Sequence, residues 1–94
     1  MSEPTVLVAD DEIGLRESVE RTLRREGFRV LQAEDGQAAL DALRKQGVDL
    51  LLADLRMPGL DGLELLRAAK LLTPEVEVIV LSGHGTVQEA VQAM

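Results

Sequence analysis

Four short apolar runs, separated by amphipathic segments, are the feature that most constrains how these 94 residues can fold. The runs cover residues 5–9, 28–33, 48–54 and 76–81. Continuous apolar runs of this length are typical of parallel strands that are covered on both faces. The second run interleaves polar and apolar residues, so it is predicted to lie at an edge of the sheet.

The segments between the runs have the spacing of amphipathic helices. A first helix is predicted over residues 13–26, ending at Gly27, and a second over 37–46, ending at Gly47. Asp61 is predicted to cap a third helix that ends near residue 73, and a capping box at Thr86 begins a fourth. The apolar residues expected on the buried faces of the first and third helices are Leu15, Val19 and Leu23, and Leu63, Leu66 and Leu72.

Strands that alternate with helices across short turns specify an α/β domain with a parallel sheet and right-handed crossovers. A chain of this length has room for one hydrophobic core, so a single domain is expected. Phe28 is the only aromatic residue and there are 17 leucines, so the core is predicted to be aliphatic.

Composition excludes several classes of function. The formal charge of −7 argues against nucleic acid or an anionic membrane as a direct partner, because such binding depends on clustered Lys and Arg. The absence of cysteine excludes thiolate metal sites and thiol nucleophiles, and His84 alone cannot form a multi-histidine centre. Without a long apolar run or a secretory signal, a cytoplasmic protein is expected.

Acidic residues follow two of the predicted strands. Asp10 and Asp11 come after the first strand, Asp54 closes the third, and Ser82 follows the fourth. In open parallel sheets the functional crevice lies at the carboxyl ends of the strands, so these side chains are expected to converge. Clustered carboxylates repel one another unless a cation neutralises them, and an all-oxygen set favours Mg²⁺ or Mn²⁺.

A carboxylate beside a bound divalent ion can attack phosphorus and form an aspartyl phosphate. Asp54 is the best candidate because it stands alone at the tip of an apolar strand, before a Pro58-Gly59 turn. The Ser82 hydroxyl and the Gly83 amide could then donate hydrogen bonds to the phosphoryl group.

Structural roles are the alternatives for the same residues. Asp11 could cap the first helix, Asp54 could be an ordinary strand-terminal acid, and Ser82 could be a turn residue. His84 is interpreted as a loop or packing residue rather than as a ligand or base. The grouping of the acids at one sheet edge favours the functional interpretation for Asp10, Asp11 and Asp54.

Three blocks of sequence resemble the receiver domain of two-component response regulators. They read VLVADDE at residues 6–12, LLADLRMPGLDG at 51–62 and VIVLSGHG at 78–85. The segment SGHG at residues 82–85, followed by Ala90, Val91, Ala93 and Met94, is also similar to receivers of the nitrogen-regulation class of AAA+ transcription activators. The resemblance implies a flavodoxin-like, CheY-like doubly wound sheet in which the four strands present have the order 2-1-3-4.

The resemblance also implies a role for each site residue. Asp54 would be the phosphoacceptor, taking a phosphoryl group from the His of a sensor histidine kinase. Asp10, Asp11, Asp54 and the backbone carbonyl of Arg56 would hold Mg²⁺. Ser82 would be the switch hydroxyl, and the response would control an effector that this chain lacks, in transcription regulation.

The sequence departs from that family at its end. Such receivers have a fifth strand and helix, with a Lys after the strand that contacts the phosphoryl group, whereas Lys45 and Lys70 both fall in predicted helices. Residues 1–94 are therefore expected to form a single receiver domain that is incomplete at its C-terminus. The fourth strand would then be an uncovered apolar edge, which favours self-association or domain swapping.

Two functions follow from these features. The first is a phosphoacceptor signalling domain rather than an enzyme, and the second is an interaction fragment that cannot be phosphorylated. A metal-dependent phosphatase with an Asp nucleophile is disfavoured, because such enzymes typically place a second acid two residues after the nucleophile, where this chain has Arg56.

Overall fold

Four strands and three helices alternate in the computed structural model, which describes residues 3–57 and 59–81. The elements are β1 (Thr5–Ala9), α1 (Ile13–Arg25), β2 (Arg29–Ala33), α2 (Gly36–Lys45), β3 (Leu50–Asp54), α3 (Gly62–Leu72) and β4 (Glu77–Leu81). Each lies within two residues of its predicted bounds. Ser82, Gly83 and the predicted fourth helix lie outside the described residues.

The four strands form one parallel sheet in the order β2-β1-β3-β4, which confirms the predicted order. Val6 of β1 is paired with Val30 on one side and with Leu50 on the other. In β2, Val30 is buried while its neighbour Arg29 is exposed, as its interleaved sequence predicts for an edge strand. β1 and β3 are the two inner strands, and the ends of these strands carry the acids.

Helices cover both faces of the sheet, so the fold is doubly wound. The face that carries Leu7 and Leu51 packs against α2 and α3, whose buried residues include Leu40 and Leu65. The opposite face carries Val6 and Val8 and packs against α1. The core is aliphatic, as predicted, and Phe28 is partly buried at its margin.

The predicted buried face of α3 is wrong. Leu63 is 49% exposed and Leu72 is 43% exposed, and Leu66 is only partly buried. The helix instead buries Gly62, Leu65 and Ala69, whose three- and four-residue spacing also defines a helical face. Small residues are favoured on this face because they allow α3 to approach the sheet backbone closely.

The first helix shows a smaller departure from prediction. Val19 and Leu23 are buried, as expected, but Leu15 is 47% exposed. Leu15 instead borders a cavity between α1 and the sheet. No helix within the described part of the chain is long and apolar enough to span a membrane.

Candidate functional site

The three aspartates selected from the sequence lie together at the carboxyl ends of β1 and β3. Each of Asp10, Asp11 and Asp54 offers a carboxylate oxygen, and these oxygens lie within 4.8 Å of one another. The strand register explains the arrangement, because Ala9 is paired with Ala53 and the acids follow directly. An all-oxygen cluster of this kind suits a hard divalent cation.

Asp10 is held in place by backbone hydrogen bonds on both sides. Its amide donates to the carbonyl oxygen of Ala33 at 3.1 Å, which ties the end of β1 to β2. Its carboxylate accepts a hydrogen bond from the Glu12 amide at 2.9 Å. The N-cap position of α1 is occupied by Glu12, so Asp11 does not cap this helix. The Glu12 side chain makes no cap hydrogen bond.

Burial and like charge both act on Asp10. The residue is 7% exposed, and burial raises the pKa of its carboxyl group above the usual range. The negative charges of Asp54, Asp11 and Glu12 raise this pKa further, and the hydrogen bond from the Glu12 amide opposes them. The cluster therefore carries an unfavourable concentration of negative charge that a bound cation would relieve.

Asp54 is half-buried at the tip of β3, where the following loop is fixed by main-chain bonds. Its carboxylate accepts a hydrogen bond from the Arg56 amide at 3.3 Å. The Leu55 amide donates to the carbonyl of Leu81 at 2.7 Å, which joins this loop to the end of β4. The loop therefore presents Asp54 at the carboxyl end of the sheet, beside Asp10 and Asp11.

Gly62 allows α3 to begin directly against the Asp54 backbone. A Cβ atom added to Gly62 would lie 2.6 Å from the carbonyl oxygen of Asp54 and 2.7 Å from the Cα of Leu55. The preceding residue, Asp61, caps α3 by accepting a hydrogen bond from the Glu64 amide at 2.9 Å, as the sequence predicts. The Asp-Gly pair of the second motif thus positions the loop that carries Asp54.

Comparison with known proteins places this geometry in a family. The family model for response regulator receiver domains matches residues 6–94. The chain belongs to this family. The resemblance inferred from the three sequence blocks is thereby confirmed.

Curated relatives of this receiver include regulators of transcription. This chain is 34% identical to sporulation initiation phosphotransferase F of Bacillus subtilis over 90% of the length of this chain. It is 40% identical to the transcriptional regulatory protein FixJ of Bradyrhizobium diazoefficiens over 95% of this chain. It is 39% identical to the DNA-binding transcriptional regulator NtrC of Escherichia coli over 99% of this chain. The chain spans 68% of the first relative, 43% of FixJ and 20% of NtrC.

Solved structures agree with the fold of the receiver. The structure of the response regulator TrrA of Thermotoga maritima, in complex with Mg²⁺ and BeF, superposes on this chain with a TM-score of 0.81, and its sequence is 30% identical. The match covers 96% of this chain and 80% of TrrA. A response regulator of Burkholderia pseudomallei with a phosphorylated aspartic acid, a calcium ion and citrate is 30% identical with a TM-score of 0.82. That match covers 97% of this chain and 54% of the other.

Arg16 lies beside the receiver's acids, although no sequence motif marks it as a site residue. One guanidinium nitrogen, Nη1, donates to the main-chain carbonyl of Asp10 at 2.7 Å. Nε donates to Oε1 of Gln32 at 2.8 Å. Only the position of Arg16 in the sequence could have indicated this contact, because Arg16 lies one turn into the predicted first helix. Gln32 comes close to it because Gln32 is paired with Val8 near the end of β1.

A cavity of about 280 Å³ adjoins the acids on the α1 side of the sheet. Asp10 and Asp54 line it together with apolar side chains that include Val19, Leu52 and Leu81. Apolar walls limit the solvation of the nearby carboxylates, which is consistent with the raised pKa of Asp10.

Proposed function

We propose that this receiver accepts a phosphoryl group on Asp54 from the phosphohistidine of a sensor histidine kinase, in a Mg²⁺-dependent reaction. The observation that carries the proposal is the three-aspartate cluster, in which Asp54 is the acid at the tip of an inner strand. The transfer would switch an effector outside this chain, in keeping with the transcriptional regulators among its relatives.

The residues of the cluster fit a divalent ion. Carboxylates of Asp10, Asp11 and Asp54, with the backbone carbonyl of Arg56, are proposed to hold Mg²⁺ or Mn²⁺. All four donors are oxygens, and the crowding of negative charge at Asp10 favours a cation. A bound divalent ion would offset negative charge on the phosphoryl oxygens. The solved relative TrrA carries Mg²⁺ and BeF.

The proposed chemistry is a substitution at phosphorus. A carboxylate oxygen of Asp54 attacks the phosphorus atom, the bond between phosphorus and the kinase histidine nitrogen breaks, and the imidazole leaves with its electron pair. The Ser82 hydroxyl and the Gly83 amide are proposed to donate hydrogen bonds to the phosphoryl oxygens. The product is an aspartyl phosphate, the modification that the Burkholderia structure carries.

Incubation with acetyl phosphate tests the proposal without a cognate kinase. Wild-type protein is expected to gain one phosphoryl group by intact-protein mass spectrometry when Mg²⁺ is present and none in excess chelator. Asp54→Asn removes the nucleophile and is expected to abolish the modification. Asp61→Asn is the matched control, because its Oδ1 can still cap α3 while Asp54 is retained. Modification of Asp54→Asn at the wild-type level would contradict the assignment.

A second candidate function is self-association through β4 without phosphorylation. Among the described strands, β4 is the outer strand beside β3, and its residues Val78, Ile79 and Val80 are only partly buried. An apolar outer strand offers unpaired backbone groups to another chain. Sedimentation velocity over a concentration series is expected to show dimers or larger species, whereas a cooperatively folding monomer at high concentration would exclude this candidate.

A further inference from the structure

We infer that Arg16 is a positioning residue that sets the geometry of the two acids following β1. The inference rests on the proposed function, because it concerns the same metal and phosphoryl site. Its first support is the 2.7 Å hydrogen bond from the guanidinium to the carbonyl oxygen of Asp10. That carbonyl belongs to the peptide unit that joins Asp10 to Asp11, so the bond fixes how this unit is rotated.

The other bonds around Asp10 do not reach its carbonyl oxygen, and only the side-chain bond to Glu12 also restrains this peptide unit. The Asp10 amide is bound to Ala33, and the Asp10 side chain is bound to Glu12. Within residues 3–57 and 59–81, Arg16 is the hydrogen-bond donor found at the Asp10 carbonyl. Without it, this peptide unit would turn more freely, and the Asp11 carboxylate would sample positions farther from Asp10 and Asp54.

The start of α1 strengthens the case for Arg16. The N-cap Glu12 makes no side-chain cap bond, so the first turn of the helix lacks the usual local anchor. The Arg16 amide makes the ordinary first backbone hydrogen bond of the helix, to the Glu12 carbonyl at 3.0 Å, while its side chain returns to the end of β1. Arg16 therefore joins the first turn of α1 to the acidic loop.

Gln32 holds the guanidinium in the required orientation. Its Oε1 accepts a hydrogen bond from Nε of Arg16 at 2.8 Å, from an exposed position on β2. A guanidinium carries several donors in a rigid plane, so two bonds at separate edges define its orientation. Arg16 thus connects α1, β1 and β2 at the edge of the acidic cluster.

The role is positional rather than one of charge neutralisation. Both partners of the guanidinium are neutral, because it donates to the main-chain carbonyl of Asp10 and to the side-chain amide oxygen of Gln32. The ion pairs found within the described residues join Arg24 to Glu20 and Arg44 to Asp41, away from the cluster. Loss of Arg16 is therefore expected to weaken the site by disordering it, not by removing an ion-pair partner.

The test compares Arg16→Ala and Arg16→Lys with Arg24→Ala. Arg24 is a matched control because it lies on the same helix, bonds the main-chain carbonyl of Val30 at 3.4 Å, and is remote from the acids. Mg²⁺ alone is the ligand, and its dissociation constant is measured by titration calorimetry. Urea unfolding in chelator gives the stability of each variant, and NMR of metal-free protein gives the Asp10 carbonyl and Asp11 amide chemical shifts.

Arg16→Ala is expected to weaken Mg²⁺ binding by about tenfold, the order seen when residues that orient metal ligands are removed. It is also expected to move the Asp10 carbonyl and Asp11 amide shifts. Arg16→Lys retains the positive charge and an N–H donor but lacks the planar guanidinium that bonds both Asp10 and Gln32, so it is expected to restore only part of the affinity. Arg24→Ala is expected to lower stability while leaving the Mg²⁺ affinity and both shifts unchanged.

Two results would overturn the inference: unchanged Asp10 and Asp11 shifts in Arg16→Ala, or a loss of Mg²⁺ affinity that Arg24→Ala reproduces. If Arg16→Ala fails to fold, Gln32→Ala serves instead, because its exposed side chain orients the guanidinium without contacting the acids. Absence of Mg²⁺ binding in the wild type would contradict the proposed function, while the shifts of the metal-free variants would still decide the role of Arg16.

Discussion

Asp10 is an ionisable side chain with little solvent and three acidic neighbours. Burial raises the pKa of its carboxyl group, and the charges of Asp54, Asp11 and Glu12 act in the same direction. In the absence of a divalent ion, the ionised form of Asp10 therefore destabilises the folded state. A divalent ion bound at the proposed site would therefore also stabilise the folded domain.

Asp10→Asn is expected to stabilise the metal-free protein at neutral pH, because it removes an unfavourable buried charge. Asn Oδ1 can still accept the hydrogen bond from the Glu12 amide. Since folding raises the pKa of Asp10, the wild type gains stability as the pH falls through the folded pKa towards the ordinary value of 3.8. The advantage of the variant is therefore expected to disappear near that lower pH.

Urea unfolding in chelator across a pH series measures this difference. Glu17→Gln is the control, because it removes one negative charge from an exposed position on α1. A stability difference for Asp10→Asn that matches Glu17→Gln at every pH would mean that burial of Asp10 carries no penalty.

Gly62 illustrates how one missing side chain shapes the site. Gly62→Ala would place a Cβ atom 2.6 Å from the Asp54 carbonyl oxygen, so the backbone must shift. The expected cost is about 2 kcal/mol of unfolding free energy, the usual order for overpacking. Because the displaced atom belongs to Asp54, the rate of modification by acetyl phosphate is also expected to fall.

Gly14→Ala is the matched control for this change. Gly14 lies within α1 and has no atom within 4 Å of an added Cβ, so alanine is expected to stabilise the helix by about 0.5 kcal/mol. Denaturant unfolding measures both variants. Equal stability of Gly62→Ala and wild type would show that α3 can move away from the Asp54 loop without cost.

At the scale of the elements, α3 shows which leucines hold a helix to the sheet. Leu65 is fully buried, and Leu65→Ala is expected to lower the unfolding free energy by about 3 kcal/mol. Leu63 is 49% exposed, and Leu63→Ala is expected to cost less than about 0.5 kcal/mol. Thermal or urea unfolding compares the two, and equal losses would contradict this orientation of the helix.

The same helix shows where sequence patterns become ambiguous. Leucines at several positions of α3 allow more than one apolar stripe, and the pattern does not reveal that the face with Gly62, Leu65 and Ala69 is the buried one. The strands were predictable because each is a distinct apolar run. The acidic cluster was predictable because parallel strands bring their carboxyl ends to one edge of the sheet.

Arg16 was not predictable from residue types because its partner is a main-chain carbonyl. Every residue carries such a group, so the sequence contains no complementary side chain that marks the contact. Gln32, its second partner, is sixteen residues away and becomes a neighbour only through the pairing of β1 with β2. Contacts of this kind require the strand register, which the sequence pattern leaves open.

At the scale of the whole molecule, Mg²⁺ can stabilise the folded state in two separable ways, by screening the net charge and by binding to the acidic cluster. The chain carries a formal charge of −7, so any salt will weaken its overall self-repulsion. A bound ion at the aspartates instead stabilises the folded state by mass action, because the unfolded chain does not assemble the three carboxylates. Screening depends on ionic strength, whereas site binding depends on the identity of the cation.

Mg²⁺ at about 100 times its dissociation constant is expected to raise the unfolding free energy by about 2.7 kcal/mol. NaCl at matched ionic strength is expected to give only the smaller screening effect. Asp54→Asn removes one carboxylate ligand from the cluster and is expected to lose most of the Mg²⁺-specific gain, while its response to NaCl stays the same. Unfolding curves that superimpose in the two salts would assign the stabilisation to the net charge and leave the aspartates without a bound ion.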